Sequence, residues 1–216
     1  MKSLTRPVLI GDGIVGVSTR HHLTQEGWSE VVLAECDELT SGIAWHSAAQ
    51  VTNFATNQTM AGLESLSIRP CKKLAEDPDN PINDHFGDGG IRLAITEAQM
   101  RGHRHFASMA SAMDVHFEAI DAEECARRHS LIFIKSLMGG LRGPREGGLD
   151  PAQLCLAFAR RARGASAEVN RNMPDLGLTR NADDSWSVHA ERSDTDCDVV
   201  VNACGNRVND VAIRNA

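Results

Sequence analysis

The chain has 216 residues and a mass of 23.4 kDa, and 42% of its residues are hydrophobic, a composition that excludes a mainly disordered or fibrous protein. Its 22 Lys and Arg residues against 29 Asp and Glu residues give a formal net charge of -7, which makes nucleic acids and anionic membranes unfavourable partners. Six scattered cysteines without a C-x-x-C motif, no apolar run of about 18 residues, and a first apolar run that begins at Val8 predict a cytoplasmic protein without a membrane-spanning helix or signal segment.

The first predicted elements form a βαβ unit. Residues 8–10 are a short apolar strand, and Gly11-Asp12-Gly13-Ile14-Val15-Gly16 leads from it into an amphipathic helix that ends near Gly27. A second apolar strand over residues 31–34 ends at Glu35. A G-x-G-x-x-G segment between strand and helix, with an acidic residue closing the next strand, is the fingerprint of dinucleotide-binding domains.

The later elements alternate between helices and strands. Helices are predicted over residues 60–74, 96–113 and 150–164, and the second of them opens with a capping box. Strands are predicted over residues 91–95, 115–120 and 198–202, around Val169, and as a meander near residues 176–180 and 185–191.

Each glycine of the fingerprint has a mechanical role. Gly11 permits the tight turn, Gly13 lets the backbone approach a pyrophosphate, and Gly16 lets the helix pack on the strand. The helix N-terminus offers free N–H groups to a phosphate, and Glu35 can accept hydrogen bonds from a ribose diol. A bare βαβ turn without a ligand is the alternative, and the complete context favours the dinucleotide site.

The histidines and cysteines are less informative by themselves. His46 follows Ser41-Gly42-Ile43-Ala44-Trp45, and its imidazole could serve as a ligand, a base or a nucleophile, or be a plain surface group. The other histidines and the cysteines lack the spacing of metal ligands, so no metal site is predicted.

Seven segments become more specific when they are taken together. They are residues 11–16, 31–35 and 37–42, Trp45-His46, residues 89–94, Asp150-Pro151 and residues 199–203. In combination they resemble the dimethylglycine and sarcosine dehydrogenases, which belong to the D-amino-acid-oxidase-like group of FAD-dependent amine oxidoreductases. The resemblance extends over nearly the whole chain.

The resemblance implies an FAD cofactor, with His46 at the position that carries it covalently through the flavin 8α-methyl group. It also implies which residues surround FAD. Those along the ADP half, next to the fingerprint glycines, are Ile14, Val15, Glu35 and Cys36; those following the flavin and its phosphates are Gly42, Ile43, Ala44, Trp45, His46 and Ser47; those touching the cofactor from the other side are Ala203 and Gly205; and Asp175 stands where a backbone group meets adenine.

Three positions depart from the family pattern. Asp12 replaces a small residue, so its carboxylate is expected either to repel the pyrophosphate or to occupy the helix N-terminus itself. Asp175 stands in a segment where the family carries a valine. Ala49-Gln50 replaces a Gly-Leu pair, which removes a glycine from the loop after His46.

The sequence therefore predicts an α/β fold. A doubly wound, Rossmann-like FAD-binding domain is expected over residues 1–84 and 146–216, and part of a smaller strand-rich substrate lobe over residues 85–145. The implied function is FAD-dependent oxidation of N-methylated glycine or similar secondary and tertiary amines, with an electron-acceptor protein or folate as a further partner.

Two other functions stay open on the sequence. The family's remaining sheet would lie beyond residue 216, so the chain is expected to be an N-terminal portion that is incomplete for turnover. A non-catalytic nucleotide-binding fragment is the first alternative. An NAD-dependent dehydrogenase is the second, and it is disfavoured because it has no use for the Trp-His loop.

Overall fold

The computed structural model describes residues 6–79, 81–87, 89–163, 168–170, 177–189 and 194–213. Helices and strands alternate along these ranges. The strands are β1 (Pro7–Ile10), β2 (Val32–Ala34), β3 (Gln50–Val51), β4 (Gly90–Ala94), β5 (Glu118–Ile120), β6 (Gly139–Gly143), β7 (Gly147–Gly148), β8 (Glu168–Asn170), β9 (Gly177–Arg180), β10 (Trp186–His189), β11 (Thr195–Cys197) and β12 (Val199–Asn202). The α-helices are α1 (Ile14–Gln25), α2 (Gln58–Ala75), α3 (Glu97–Ala112), α4 (Ala122–Arg128), α5 (Pro151–Arg163) and α6 (Val208–Ile213).

The chain divides into two compact units. The first unit contains residues 1–47 and 151–216, and the second contains residues 48–150. The functional domains predicted from the sequence have other limits, at residues 84 and 146, because they follow the family pattern and not the packing. That functional division stays a prediction.

The first unit is built on a four-stranded parallel sheet with the strand order β12-β1-β2-β8. Strand β1 lies inside this sheet, and all its residues are buried, as is typical of a parallel strand covered on both faces. Val8 and Ile10 pack in one cluster with Val32 and Ala34 of β2. The predicted α/β fold with a parallel, Rossmann-like sheet is confirmed.

Two further layers complete the described part of the first unit. Helices α1 and α5 pack against each other, and the ring of Phe158 on α5 lies 5.2 Å from that of His21 on α1. The antiparallel sheet β11-β10-β9 contributes Val188 and Cys197 to the cluster around β1 and β2. The predicted meander is therefore present, and it covers part of the apolar surface of the parallel sheet.

The second unit contains an antiparallel sheet with the order β4-β6-β5 and a two-stranded pair of β3 and β7. Its core includes Phe106 of α3, Leu141 of β6, and Phe117, which directly precedes β5. The predicted capping box is confirmed, since the Thr96 hydroxyl accepts from the N–H of Gln99 and the Gln99 side chain accepts from the N–H of Thr96. Strand β5 begins only at Glu118, three residues later than predicted.

A part-buried ion pair in the second unit joins β4 to Glu146, which lies between β6 and β7. The Arg92 guanidinium on β4 donates to Glu146 through Nη1 at 2.5 Å and through Nη2 at 2.9 Å, and only 3% of the Glu146 side chain is exposed. The Thr52 hydroxyl and the N–H of Asn53 also donate to Glu146. The guanidinium lies 4.2 Å from the centre of the Phe54 ring, a cation–π distance.

Ala49, just before β3, has a left-handed backbone with φ 61°. Most non-glycine residues avoid this region because the Cβ atom crowds the backbone there. The loop therefore keeps the conformation that suits glycine, although the sequence supplies alanine.

Among the described helices, none is both long enough and apolar enough to cross a bilayer.

Candidate functional site

The glycine-rich turn between β1 and α1 is shaped by two close approaches. Gly11 has φ 103°, and a Cβ atom placed on it would come within 2.5 Å of the Ala203 carbonyl oxygen, at the end of β12. A Cβ atom on Gly16 would collide with the carbonyl group of Gly11. Both positions therefore require glycine, and the turn is closed between α1 and the end of β12.

The remaining fingerprint glycine faces open space. Gly13 is the N-cap residue of α1 and makes no side-chain cap hydrogen bond, and a Cβ atom placed on it would meet nothing within 4 Å. The first turn of α1 contains no acidic residue, while Ile14 and Val15 next to it are exposed. An uncapped helix N-terminus with room in front of its N–H groups is suited to binding an anionic group.

Glu35 follows β2 and gathers main-chain donors around its carboxylate. Oε2 accepts from the N–H of Asp12 at 2.8 Å, and Oε1 accepts from the N–H groups of Cys36 and Asp37 at 2.8 and 3.1 Å. The Cys36 thiol donates to Oε1 as well, at 2.9 Å. Burial raises the pKa of Glu35, but the hydrogen bonds outweigh it, and the net effect is a lowered pKa.

Asp12 lies beside Glu35 and is buried, with 3% of its surface exposed. Its N–H donates to Glu35 Oε2, so the two acidic residues lie next to each other. Gly13 is the N-cap residue of α1, so Asp12 directly precedes the N-cap, and its expected place at the helix N-terminus stays a prediction. The expected repulsion between Asp12 and a pyrophosphate likewise stays a prediction.

Two thiols and one cation complete this edge of the sheet. The Arg207 guanidinium donates to Cys36 Sγ at 3.0 Å and lies 3.9 Å from the Asp37 carboxylate. Burial and the hydrogen bond to Glu35 raise the pKa of Cys36 to about 12, and burial with the nearby Glu35 charge raises that of Cys204 to about 11. Although Glu35, Cys36 and Asp37 hold ligand atoms within 4.8 Å of one another, the Cys36 thiol keeps its proton and serves as a donor.

The Trp-His segment forms a short 3-10 turn over Ala44–His46. The N–H of His46 donates to the Ile43 carbonyl at 3.0 Å, and the rings of Trp45 and His46 have centroids 3.6 Å apart. Ile43, Trp45 and His46 are all exposed, and the turn packs against α5. Two large apolar side chains thus stand at the surface beside an accessible imidazole.

The structure brings the predicted site residues together in two groups, both in the first unit. At the carboxyl ends of β1, β2 and β12 it joins Gly11, Gly13, Ile14, Val15, Gly16, Glu35, Cys36, Ala203 and Gly205. The second group, against α5, is Gly42, Ile43, Ala44, Trp45, His46 and Ser47. Helix α5 also packs on α1 and so connects the two groups. Asp175 lies outside the described residues.

Arg207 and the Asp12–Glu35 contact were not predicted as parts of the site. Arg207 approaches Cys36 across 171 positions of sequence, and no local motif marks such a contact. For Asp12 the sequence did carry a signal. Asp12 follows β1 and Glu35 follows β2, and these two strands are neighbours in the sheet. Adjacent parallel strands bring their carboxyl ends to the same edge of the sheet.

The chain is similar to known flavoenzymes in sequence. A family model described as FAD dependent oxidoreductase matches residues 8–215. Dimethylglycine dehydrogenase, mitochondrial, of Homo sapiens is 30% identical over 204 residues, which are 94% of this chain and 23% of that protein. Sarcosine dehydrogenase, mitochondrial, of Homo sapiens is 28% identical over 184 residues, 85% of this chain and 20% of that protein. The chain thus spans less than a quarter of the length of these two relatives.

Solved structures with the same fold include L-proline dehydrogenase from P. horikoshii, with a TM-score of 0.88 and 20% identity over 99% of this chain and 56% of that chain. Glycine oxidase from Geobacillus kaustophilus has a TM-score of 0.82 and 18% identity over 97% of this chain and 58% of that chain. At these identities the similarity concerns the fold.

Proposed function

Because the chain belongs to the family of FAD-dependent oxidoreductases, we propose that its first unit binds FAD and serves in the oxidation of N-methylated glycine or a similar secondary or tertiary amine. The observation that carries the proposal is the turn at Gly11, Gly13 and Gly16, which the end of β12 closes on one side and which is open in front of Gly13. The substrate class comes from the resemblance to dimethylglycine and sarcosine dehydrogenases.

The open turn fits the pyrophosphate of a dinucleotide. An added Cβ atom on Gly13 would fill the space that a phosphate needs, and the N–H groups of the first turn of α1 face no acidic side chain of that turn. Ile14, Val15, Ile43 and Trp45 expose between 39% and 63% of their surface. Apolar side chains at such exposure fit the flat, largely apolar rings of a bound cofactor.

Glu35 is proposed to receive the ribose diol of the ADP half. Its carboxylate already accepts three main-chain N–H groups, which fix its position. The weakest donor among its partners is the Cys36 thiol, so a ribose hydroxyl would take the place of that hydrogen bond. A negatively charged Glu35 also disfavours a 2'-phosphate, in agreement with FAD as the dinucleotide.

His46 is proposed as the covalent attachment site of the flavin. Its imidazole is exposed, it stands against the Trp45 ring, and its position is fixed by a main-chain hydrogen bond to Ile43. When bound, FAD supplies the acceptor for a hydride from an amine C–H bond. In this proposal the chain holds both ends of the cofactor. The glycine turn binds the ADP half, and the Trp-His turn binds the flavin.

The attachment is tested by acid precipitation of the purified chain after reconstitution with FAD. We expect flavin in the pellet for the wild type and in the supernatant for His46→Ala. His22→Ala is the matched control, because His22 is another exposed histidine of the first unit, and it should keep flavin in the pellet.

The outcomes separate cofactor binding from attachment. Flavin released by the acid-treated wild type contradicts the role of His46 and leaves FAD binding intact. A wild type that takes up no flavin at saturating FAD contradicts the whole proposal.

Catalysis needs its own measurement, because a chain that binds FAD need not turn over. Bleaching of the flavin absorbance by dimethylglycine or sarcosine without oxygen is expected for an active protein. Absence of bleaching in a flavin-loaded chain favours the binding-only alternative. An electron-acceptor protein or folate, tested as the oxidant of bleached flavin, is the proposed further partner.

The proposal also includes the cellular compartment. The six cysteines are all free, which fits a reducing compartment such as the cytoplasm. The two human relatives are mitochondrial by name, and free thiols fit that compartment as well.

A further inference from the structure

Arg207 connects the two sides of β1 at the edge of the sheet where the glycine turn begins. Strand β1 pairs with β12 on one side and with β2 on the other. Arg207 follows β12, and its Nη1 donates to the Sγ atom of Cys36, which follows β2, at 3.0 Å. The same nitrogen lies 3.9 Å from Asp37 Oδ2. The Arg207 side chain therefore spans the width of β1 at its carboxyl end.

The main chain that carries Arg207 is fixed beside the glycine turn. A Cβ atom placed on Gly11 would come within 2.5 Å of the Ala203 carbonyl oxygen and within 3.0 Å of Cys204 Cα. The N–H of Arg207 donates to the Cys204 carbonyl at 3.0 Å, while 64% of the Arg207 side chain is exposed. The guanidinium is thus anchored near the turn and remains accessible to a ligand.

A chain of two hydrogen bonds leads from Arg207 to the carboxylate of Glu35. Arg207 Nη1 donates to Cys36 Sγ at 3.0 Å, and the Cys36 thiol donates to Glu35 Oε1 at 2.9 Å. The thiol therefore lies between a cation and a carboxylate. A ribose hydroxyl that takes the place of this thiol on Glu35 would lie next to the Arg207 guanidinium.

The two charged groups offer a diol complementary hydrogen bonds. A carboxylate has only acceptors, a guanidinium has only donors, and each hydroxyl of a ribose is both a donor and an acceptor. A ribose between Glu35 and Arg207 can therefore donate to the carboxylate and accept from the guanidinium at the same time. The bond from Arg207 is of the charge-assisted kind, which is stronger than a bond between neutral groups.

We propose that Arg207 is a second ribose-binding residue of the FAD site, which donates to the diol of the ADP half while Glu35 accepts from it. This inference rests on the proposed function, because it requires FAD at the glycine turn. It makes Arg207 a specificity-determining residue, since a nucleotide that lacks the accepting hydroxyl loses the bond from the guanidinium.

The test measures reversible binding of three ligands by their flavin fluorescence. They are FAD and its two analogues in which the adenosine is 2'-deoxyadenosine or 3'-deoxyadenosine. The full-length His46→Ala chain serves as the parent, since it cannot attach the cofactor covalently. Arg207→Met, which keeps a long side chain without its donors, is compared with it. Arg180→Met is the matched control, because 63% of the Arg180 side chain is exposed and it too contacts an aspartate of the first unit.

Arg207→Met should bind FAD about tenfold more weakly than the parent does, the loss that corresponds to one hydrogen bond from a charged group. For at least one deoxy analogue the loss should be less than about threefold, because that analogue has no acceptor for Arg207. Arg180→Met should bind all three ligands as the parent does.

The comparison of ligands within one variant separates a ribose contact from a general effect of the substitution. An equal loss for FAD and for both analogues overturns the ribose contact, and so does an unchanged FAD affinity in Arg207→Met; FAD binding stands in both cases. Absence of FAD binding in all three chains overturns the FAD site, and this inference with it.

Discussion

Each compact unit contains a glutamate that collects hydrogen bonds, and the two differ in their partners. Glu146 in the second unit is paired with the Arg92 guanidinium and is almost fully buried. Glu35 in the first unit accepts main-chain N–H groups from Asp12, Cys36 and Asp37, and the nearby Arg207 contacts other atoms. The charge of Glu146 is therefore compensated within its unit, while Glu35 is held by the dipoles of three main-chain N–H groups and of the Cys36 thiol.

The difference shows which carboxylate is structural and which can respond to a ligand. A buried carboxylate that is paired with a guanidinium is costly to leave without its partner. A charge held by main-chain dipoles is fixed in position and can still bind a hydroxyl group or share a proton. Three substitutions sharpen this comparison.

The largest effect is expected from Glu146→Ala. It leaves Arg92 without its carboxylate and removes the acceptor of Thr52 and Asn53, so the free energy of unfolding in urea should fall by about 3 kcal/mol. The matched control is Glu118→Ala, which breaks the more exposed Arg142–Glu118 pair and should cost less than about 1 kcal/mol. Equal losses in the two variants would mean that burial does not distinguish the pairs.

A smaller effect is expected from Glu35→Gln. The amide has one acceptor and turns its NH₂ group towards main-chain donors, so the free energy of unfolding at neutral pH should fall by about 1–2 kcal/mol. Because the pKa of Glu35 is lowered in the folded protein, its stabilisation is present above the unfolded-state pKa and is lost as the pH falls through the folded-state value. The difference from wild type in urea unfolding should therefore shrink as the pH falls below about 4. A constant difference over that range contradicts a role for the charge.

The smallest effect is expected from Ala49→Gly, and it has the opposite sign. Glycine relieves the left-handed conformation at φ 61°, and the gain exceeds the extra entropy of the unfolded chain, so stability should rise by about 0.5 kcal/mol. Ala48→Gly is the control, because Ala48 is exposed and has no positive φ; it should destabilise slightly. A thermal melt of both variants measures the sign, and a loss of stability in Ala49→Gly refutes the strain.

The sequence was most informative where one segment determines its own structure. The buried strand β1, the glycine turn, the capping box at Thr96 and the helix that begins at Pro151 each follow from residues within one local window. Their type is predicted because neighbouring residues dictate it, and their limits agree within a few positions.

The rest depends on contacts between distant residues. Strand β6 has the sequence GGLRG and no strand pattern, and it forms because β4 and β5 both pair with it. The Arg92–Glu146 pair joins residues 54 positions apart, and the Asp12–Glu35 contact joins residues 23 positions apart. No periodicity indicates such pairs, because side-chain contacts between elements are set by the sheet order.

The position of β1 in the sheet also determines when the parallel sheet can be completed during synthesis. Strand β1 pairs with β2 near the beginning of the chain and with residues 199–202 near its other end. The ribosome therefore releases the whole second unit, residues 48–150, before the parallel sheet can gain β12. Until then the N–H and C=O groups on that edge of β1 have no partner strand within the sheet.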